Sequence, residues 1–475
     1  MHWLLVVLIV FVFQAGTILV LEYRRPANAM AWLFILFLFP IVGFILYYFL
    51  AHEYRRRRRV RRRGGIDEQR RAEIMSKSHL IGEPGDMPSP EFEHQERLFK
   101  LLRKAGAAPI TGCNSSRVLT NGEATYEAML HAIRSAKHHI HFSTYILRDD
   151  ETGRLFRSEL VRKAQEGVQV RLLYDGIGSI KLKRSYFGPL KEAGGEFACF
   201  FPLRPAFMKK RMNYRNHRKI LVVDGTKGFV GGINVGDEYL GKHPRLGFWR
   251  DTHLELEGDA VYGLQEVFLK DWQTATGQNP KDPGFLPLHH CKGKEAVQIV
   301  AGGPNRRDDA IHETLFAALS VAKERIWITT PYFIPDASIL MALKIAAMSG
   351  VDVRLIVPFV PDSYLVMHAT LSYVDEMMSY GVRFWQYKRG FIHAKVVIVD
   401  NLMASVGTAN MDLRSFFSNF ETNALLFHED RIADLERDFL QDLKDSQELE
   451  LTAFRSRPRK EKAKQALARM LSPLL

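Results

Sequence analysis

The start of the chain is dominated by two long apolar runs. Trp3 to Leu21 carries no charged side chain, and neither does Met30 to Leu50. Each is close to the roughly 20 residues that a helix needs to cross a bilayer. The link between them, Glu22 to Ala29, is short. The pair therefore predicts a transmembrane helical hairpin, with Pro40 and Gly43 as a kink in its second arm. A cleaved leader fits less well, because no basic segment precedes the first run and no small-x-small cleavage site follows it.

Beyond the hairpin the pattern becomes polar. Gly64 to about Pro90, with Pro84, Pro88 and Pro90, predicts a linker. Pro90 to Lys104 predicts a helix with Phe92, Leu98, Leu101 and Leu102 on its apolar side. From about Thr111 the chain repeats itself. Tyr126, Met129, Leu130 and Ile133 fall at helical spacing, and a β-branched and aromatic strand follows around Ile140 to Ile146. Ile311, Leu315, Ala318, Leu319 and Ala322 make the second helical stripe, followed by a strand over Ile326 to Thr330. "EGVQVRLLYDG" (Glu166 to Gly176) is answered by "SGVDVRLIVPF" (Ser349 to Phe359), and "GGEFACFFP" by "YGVRFWQYK". Helices alternating with short apolar strands predict an α/β fold. Two such units in tandem suggest a pseudo-two-fold pair. The expected division is residues 1–53 for the hairpin, 54–90 for a basic juxtamembrane linker, 91–290 for the first unit with its leading helix, and 291–475 for the second unit with a basic amphipathic tail.

Charge adds a direction. The net charge is +13, of which ten arginines and two glutamates within residues 1–63 supply +8. Eight of those arginines stand between Tyr54 and Gly65, which by the positive-inside rule places that side in the cytoplasm. They act either as a topology signal alone or also as an attraction for anionic headgroups. The remaining residues carry only +5, a weak footprint for nucleic acid. The three cysteines, Cys113, Cys199 and Cys291, are scattered. They suggest no disulfide framework and no zinc spacing, in keeping with a reducing compartment.

Each repeat ends in the same motif. "NHRKILVVDG" contains His217, Lys219 and Asp224, and "IHAKVVIVDN" contains His393, Lys395 and Asp400. On a strand, period two puts each His and Lys on one face. A glycine follows each histidine by 14 residues (Gly231, Gly407) and an asparagine by 17 (Asn234, Asn410). Glycine permits close backbone approach, and asparagine with lysine suits an anionic phosphate. Asp251 and Glu421 follow the histidines by 34 and 28 residues. Each is expected to accept the Nδ1–H of the histidine in its own unit, leaving Nε2 free. Two histidines at one phosphodiester divide the work: one attacks phosphorus, and the other protonates the leaving alkoxide and then deprotonates the incoming hydroxyl. Lysine and asparagine stabilise the non-bridging oxygens. No metal and no cofactor is required. Asp224 and Asp400, grouped with the catalytic set, sit on the opposite strand parity, which also fits a structural support.

These residues resemble the phospholipase D superfamily, and within it the bacterial cardiolipin synthases. The similarity is carried by the two His-x-Lys-x4-Asp motifs and by "GGINVGDEYLG" (Gly231 to Gly241), "WRDTH" (Trp249 to His253), "TPYFIPD" (Thr330 to Asp336), "GFIHAK" (Gly390 to Lys395) and "GTANMDLRSF" (Gly407 to Phe416). The resemblance implies two tandem phospholipase D-type α/β/α units behind a membrane hairpin. It implies transfer of a phosphatidyl group between two phosphatidylglycerol molecules, giving cardiolipin and glycerol through a phosphatidyl-histidine. By analogy His217 is the nucleophile and His393 the acid/base. The implied partners are membrane phospholipids in the bacterial cell membrane, with no nucleic acid; an oligomer is compatible with the sequence. A lipid hydrolase using water as acceptor, a membrane-tethered nuclease and an inactive lipid-binding scaffold are the rival readings. Arg204 to Lys219 forms either an interfacial loop or an ordinary basic one, and the tail with Leu467, Met470 and Leu471 lies either on the membrane or on the domain.

Overall fold

The computed structural model describes residues 2–22, 26–50, 64–104, 108–202, 213–305 and 308–474. The arginine cluster at 54–63 and residues 203–212 of the basic loop before the first motif lie outside the described residues.

Two sheets carry the fold, and they repeat one strand order. The first runs Asn114–Thr120, Thr252–Gly258, Lys227–Gly231, Ile220–Val223, His139–Thr144, Gln169–Asp175, Glu196–Phe200. The second runs Val297–Gly302, Glu421–Leu426, Met403–Gly407, Val396–Val399, Arg325–Thr329, Asp352–Pro358, Arg383–Tyr387, and adds Ile110–Thr111 at one edge and Ser446–Glu448 at the other. In both, the last three of the seven shared strands are parallel, as crossover helices require, and the others antiparallel. This is the expected tandem mixed α/β architecture.

The hydrophobic pattern explains how the sheets pack. Ile220, Val222 and Leu254 of the first sheet meet Val396, Ile398, Val406 and Leu426 of the second in one shared core. Each outer face takes its own helices. Tyr126, Met129 and Ile133 cover the first sheet, and Ile311, Leu315 and Leu319 the second. The strands are thus buried on both faces and read as continuous apolar runs. The helix Glu96–Lys104, expected to lead the first unit, packs elsewhere. Leu98, Phe99 and Leu102 sit in the core of the second unit. Its apolar stripe does not reveal which sheet it covers.

Arg218 fastens the halves together. Its guanidinium donates to Asp271 Oδ1 at 2.5 Å, to the Gly302 carbonyl at 2.6 Å and to the Glu421 carbonyl at 3.0 Å. Both Arg218 and Asp271 are buried.

The N-terminal region keeps the expected break at Pro40 and differs from expectation in span and in the linker. Helix α1 (His2–Leu21) is followed by α2 (Pro26–Leu38) and α3 (Pro40–Leu50), so the second arm is two helices separated at Phe39. Pro40 lacks the N–H that a continuous helix would need there. Among the described residues no helix is long and apolar enough to cross a membrane; in α1, side chains 2–4 and 6–7 lie outside the described set. What is described is an apolar helical hairpin, with Ile18, Trp32, Leu36 and Tyr47 packed together. The stretch read as linker also contains α4 (Gly64–Lys77). Its Ile74 packs on Tyr262 and Leu286, Arg70 donates to Asn279 at 2.6 Å, and Lys77 donates to the Leu286 carbonyl at 2.6 Å.

The tail settles on the protein. Helix Arg459–Leu471 lies along helix Tyr364–Met378, with Arg469 donating to the Ser372 carbonyl at 2.9 Å. The final turn, Ser472–Leu474, reaches the hairpin, where Leu474 packs against its apolar cluster. Cys113 and Cys291, expected to be unconnected, form a disulfide. They stand 178 residues apart in sequence, so no local spacing announces the pair. The cysteine count therefore loses its force as an argument for a reducing compartment.

Asp271→Ala leaves the Arg218 guanidinium buried without its carboxylate. A loss of about 3–5 kcal/mol is expected, read as a lower denaturation midpoint.

Candidate active site

The two histidines are delivered by strands that cross between the halves. Asn216 forms a parallel bridge to Phe420, and the His217 N–H donates to the Phe420 carbonyl at 3.0 Å. Gly390–Ile392 pairs in parallel with Phe248–Arg250, and the His393 N–H donates to the Arg250 carbonyl at 2.7 Å. His217 and Lys219 thus precede the buried strand Ile220–Val223 instead of lying on it, and His393 and Lys395 precede Val396–Val399 in the same way. Each histidine is anchored to the backbone of the opposite unit.

Their side chains are held across the same boundary, and here the expected pairing is corrected. His217 Nδ1 lies 3.0 Å from both carboxylate oxygens of Glu421. His393 Nδ1 lies 2.7 Å from Asp251 Oδ2. Asp251 and Glu421 do face Nδ1 atoms, but each serves the histidine of the other unit. Their side chains are fully buried. Asp251 also accepts the Thr252 N–H at 2.9 Å, and Glu421 accepts the Thr408 hydroxyl at 2.5 Å and the Asn419 amide at 3.2 Å. Acceptance of Nδ1–H leaves Nε2 unprotonated and free to act.

The lysines complete the pairs. Lys219 Nζ donates to the His217 carbonyl at 2.7 Å, and Lys395 Nζ to the His393 carbonyl at 2.5 Å. Both are buried. Burial pushes Lys219 down to about 7 and Lys395 to about 8, with Glu421 and Asp251 opposing that fall. Burial also lowers His217 to about 4 and His393 to about 3, against the pull of their carboxylates. For Glu421 and Asp251 burial acts upward, yet the facing histidines and lysines hold both below the usual carboxylate range. Both imidazoles therefore rest neutral at neutral pH, and each half's charges act on the other's.

The remaining expected residues divide. Asp224 and Asp400 are not in the site. Each sits in a turn at the far end of its strand, with φ of 53° and 49°. Asp224 accepts the N–H groups of Lys137, His138 and His139 at 2.8–2.9 Å. Asp400 does the same for Lys323, Glu324 and Arg325 at 2.8–2.9 Å. They tie the start of the neighbouring antiparallel strand to the motif strand, so their grouping with the catalytic residues is corrected: they are structural. The Asn234 amide bonds to the Ile146 N–H and to the Tyr239 hydroxyl, holding its own loop. Asn410 donates to Asp412, and its Oδ1 is buried without a partner. Each asparagine retains one further amide N–H. The glycines do permit close approach: a Cβ on Gly231 would lie 2.5 Å from His253 Cα, and one on Gly407 2.5 Å from Asn423 Cα.

Two aromatic neighbours carry no signal in the motif spacing. Tyr145 meets His217 edge-on at 4.9 Å, with Lys219 Nζ 5.3 Å from the Tyr145 ring, and Trp249 lies 5.2 Å from His393. Tyr145 stands next to the end of the run read as a strand, and Trp249 stands two residues before Asp251; only the tertiary fold brings them to the rings.

Comparison with known proteins fits this geometry. A family profile described as "Cardiolipin synthase, PLD-like domain" matches residues 129–272 and 315–443. The chain belongs to this family. A second profile, "Phospholipase_D-nuclease N-terminal", matches residues 3–51. Cardiolipin synthase 2 of Bacillus anthracis is 45% identical over 465 residues, covering 98% of this chain and 90% of that protein. Cardiolipin synthase of Halalkalibacterium halodurans is 44% identical over 474 residues, covering 99% and 93%. Among solved structures, phosphatidylserine synthase of Haemophilus influenzae superposes with a TM-score of 0.61 at 15% identity, covering 80% of this chain and all of that one. At that identity the likeness speaks for the fold.

The crossed pairing has a direct test. The His393 Nδ1–H resonance should be lost or moved in Asp251→Asn, while that of His217 persists; Glu421→Gln should do the reverse. Pairing within each unit predicts the opposite assignment. In addition, the unfolded chain binds more protons than the fold between the ordinary histidine value near 6.5 and the lowered values of about 4 and 3. Stability should therefore fall as pH drops through that window, and the fall should be shallower in His217→Gln, as measured by denaturation at stepped pH.

Proposed function

We propose that this chain is a cardiolipin synthase that moves a phosphatidyl group from one phosphatidylglycerol to a second. The observation that carries the reading is the pair of histidines, each with Nδ1 facing a buried carboxylate and each beside a buried lysine. In the proposed sequence, His217 Nε2 attacks the donor phosphorus. The phosphorus–oxygen bond to glycerol breaks as the N–P bond forms, and His393 gives its proton to the departing glycerol oxygen. A hydroxyl of the second phosphatidylglycerol then gives its proton to His393 and attacks phosphorus. The N–P bond breaks, His217 regains its free Nε2, and cardiolipin leaves.

The lowered histidine values are compatible with this division. An entering phosphodiester brings negative charge beside both rings and raises them, so that His393 takes up the proton it must deliver. Lys219 and Lys395, with the spare amide hydrogens of Asn234 and Asn410, stabilise the charge on the non-bridging oxygens. These residues need no metal for the transfer. The apolar hairpin is proposed to hold the enzyme at the bilayer where both lipids reside, with the catalytic units on the cytoplasmic face by arginine count. The units are proposed to divide near residue 290, with residues 92–111 assigned by packing to the second.

The test is the purified full-length protein in phosphatidylglycerol liposomes with EDTA present. Cardiolipin and glycerol should appear in equal amounts. His217→Ala and His393→Ala should each lose about 10³-fold or more of the rate. Phosphatidic acid without cardiolipin would make water the acceptor. No turnover of phosphatidylglycerol would point to another donor.

A further inference from the structure

Away from the reaction centre, three metal-binding side chains converge. Cys113 lies between the short strand Ile110–Thr111 and the strand Asn114–Thr120. Cys291 lies in the connection between the two units. His79 follows α4, and its Nδ1 is 3.7 Å from Cys291 Sγ. One ligand atom from each of the three lies within 4.8 Å of the others, and among the described residues this is the one group of its kind. Cys113 is buried, whereas His79 and Cys291 are exposed, so an ion can enter from solvent.

We propose that these three residues form a redox-gated zinc site: a disulfide when oxidised, and a two-thiolate, one-imidazole zinc site when reduced. The donor set suits zinc, which binds thiolate sulfur at about 2.3 Å and imidazole nitrogen at about 2.0–2.1 Å in tetrahedral geometry. Those lengths place two such ligand atoms about 3.6 Å apart, close to the His79–Cys291 separation. The surroundings also fit. Asp259, whose side chain is fully buried, accepts the His79 backbone N–H at 2.6 Å and faces its Nδ1 at 3.1 Å. That carboxylate faces the same nitrogen that Cys291 Sγ approaches, so an ion taken by Nδ1 replaces the proton between His79 and Asp259, and the Asp259 charge then lies beside the cation. His289 Nδ1 in turn lies 3.1 Å from the other Asp259 oxygen, and its Nε2 lies 2.9 Å from the Gly225 carbonyl. The cradle that positions His79 is therefore built into the fold.

The chemistry balances. A thiol reductant supplies two electrons and two protons to the Cys113–Cys291 bond, and its own two thiols join as a disulfide. Zinc then displaces one proton from each cysteine and takes a ring nitrogen of His79, with water as the fourth ligand. Three protein ligands and a water leave the ion exchangeable. In either state the site fastens the end of α4 and the inter-unit connection to the first sheet. The oxidised bond leaves His79 out, whereas the ion draws it in.

The test uses the full-length protein in detergent, reduced without oxygen and titrated with cobalt(II) as the probe. One cobalt per chain should bind, with thiolate-to-metal charge transfer and the visible bands of a tetrahedral ion, and zinc should displace it. Cys291→Ser should abolish the charge transfer. His79→Ala should weaken binding more than about tenfold and change the visible bands. Zinc should raise the melting temperature of the reduced protein and leave that of Cys291→Ser unmoved. Both substituted residues are exposed, so metal-free melting curves close to wild type verify folding. The proposal is overturned if the reduced protein binds no more cobalt than Cys291→Ser, if His79→Ala behaves as wild type, or if the pair resists reduction in the folded protein.

Discussion

Two carboxylates with no access to water decide how this molecule is assembled. Asp251 and Glu421 are charged groups in the protein interior, and such groups are tolerated only when hydrogen-bonded or paired. The partner of each is a histidine from the other unit. Neither unit fully satisfies its own buried acid, and neither orients its own histidine. Closing the halves and forming the reaction centre are therefore one event. Arg218 adds a third crossing, reaching Asp271 from one side and two carbonyls of the second unit from the other.

The same burial sets the electrical state of the site. With both imidazoles held neutral and both lysines brought towards neutrality by desolvation, the free site carries less positive charge than its residue types suggest. An arriving phosphodiester reverses that, because its charge favours protonation of every base around it. Substrate and proton thus arrive as a coupled pair, and the charge needed for chemistry appears when there is something to stabilise.

Much of this was legible in the sequence. The doubled His-x-Lys-x4-Asp motif, the repeated helix and strand patterns and the fixed offsets to Gly231, Gly407, Asn234 and Asn410 are all local. Local pattern is what a periodic backbone writes into a chain. What stayed hidden is non-local. Asp251 stands 34 residues from His217 but 142 from the histidine it serves, so proximity in sequence suggests the wrong partner. The apolar stripe of Glu96–Lys104 predicts a helix without saying whose core it completes. Cys113 and Cys291 are separated by a whole unit. The α4 helix was masked by its glycines and by the prolines that follow, although residues 67–77 are rich in helix formers. Asp224 and Asp400 show the converse: their place in the motif implied chemistry, while their work is to fasten the neighbouring strand.

The last turn of the chain rests on the first helices. Leu474 packs beside Trp32, Leu36 and Tyr47 of the hairpin, while the helix before it lies along the second unit. Hairpin and catalytic body are therefore joined by a packed contact as well as by the chain between them. Two parts joined by a chain alone would swivel; the seat of the last turn on the first helices gives them one relative orientation.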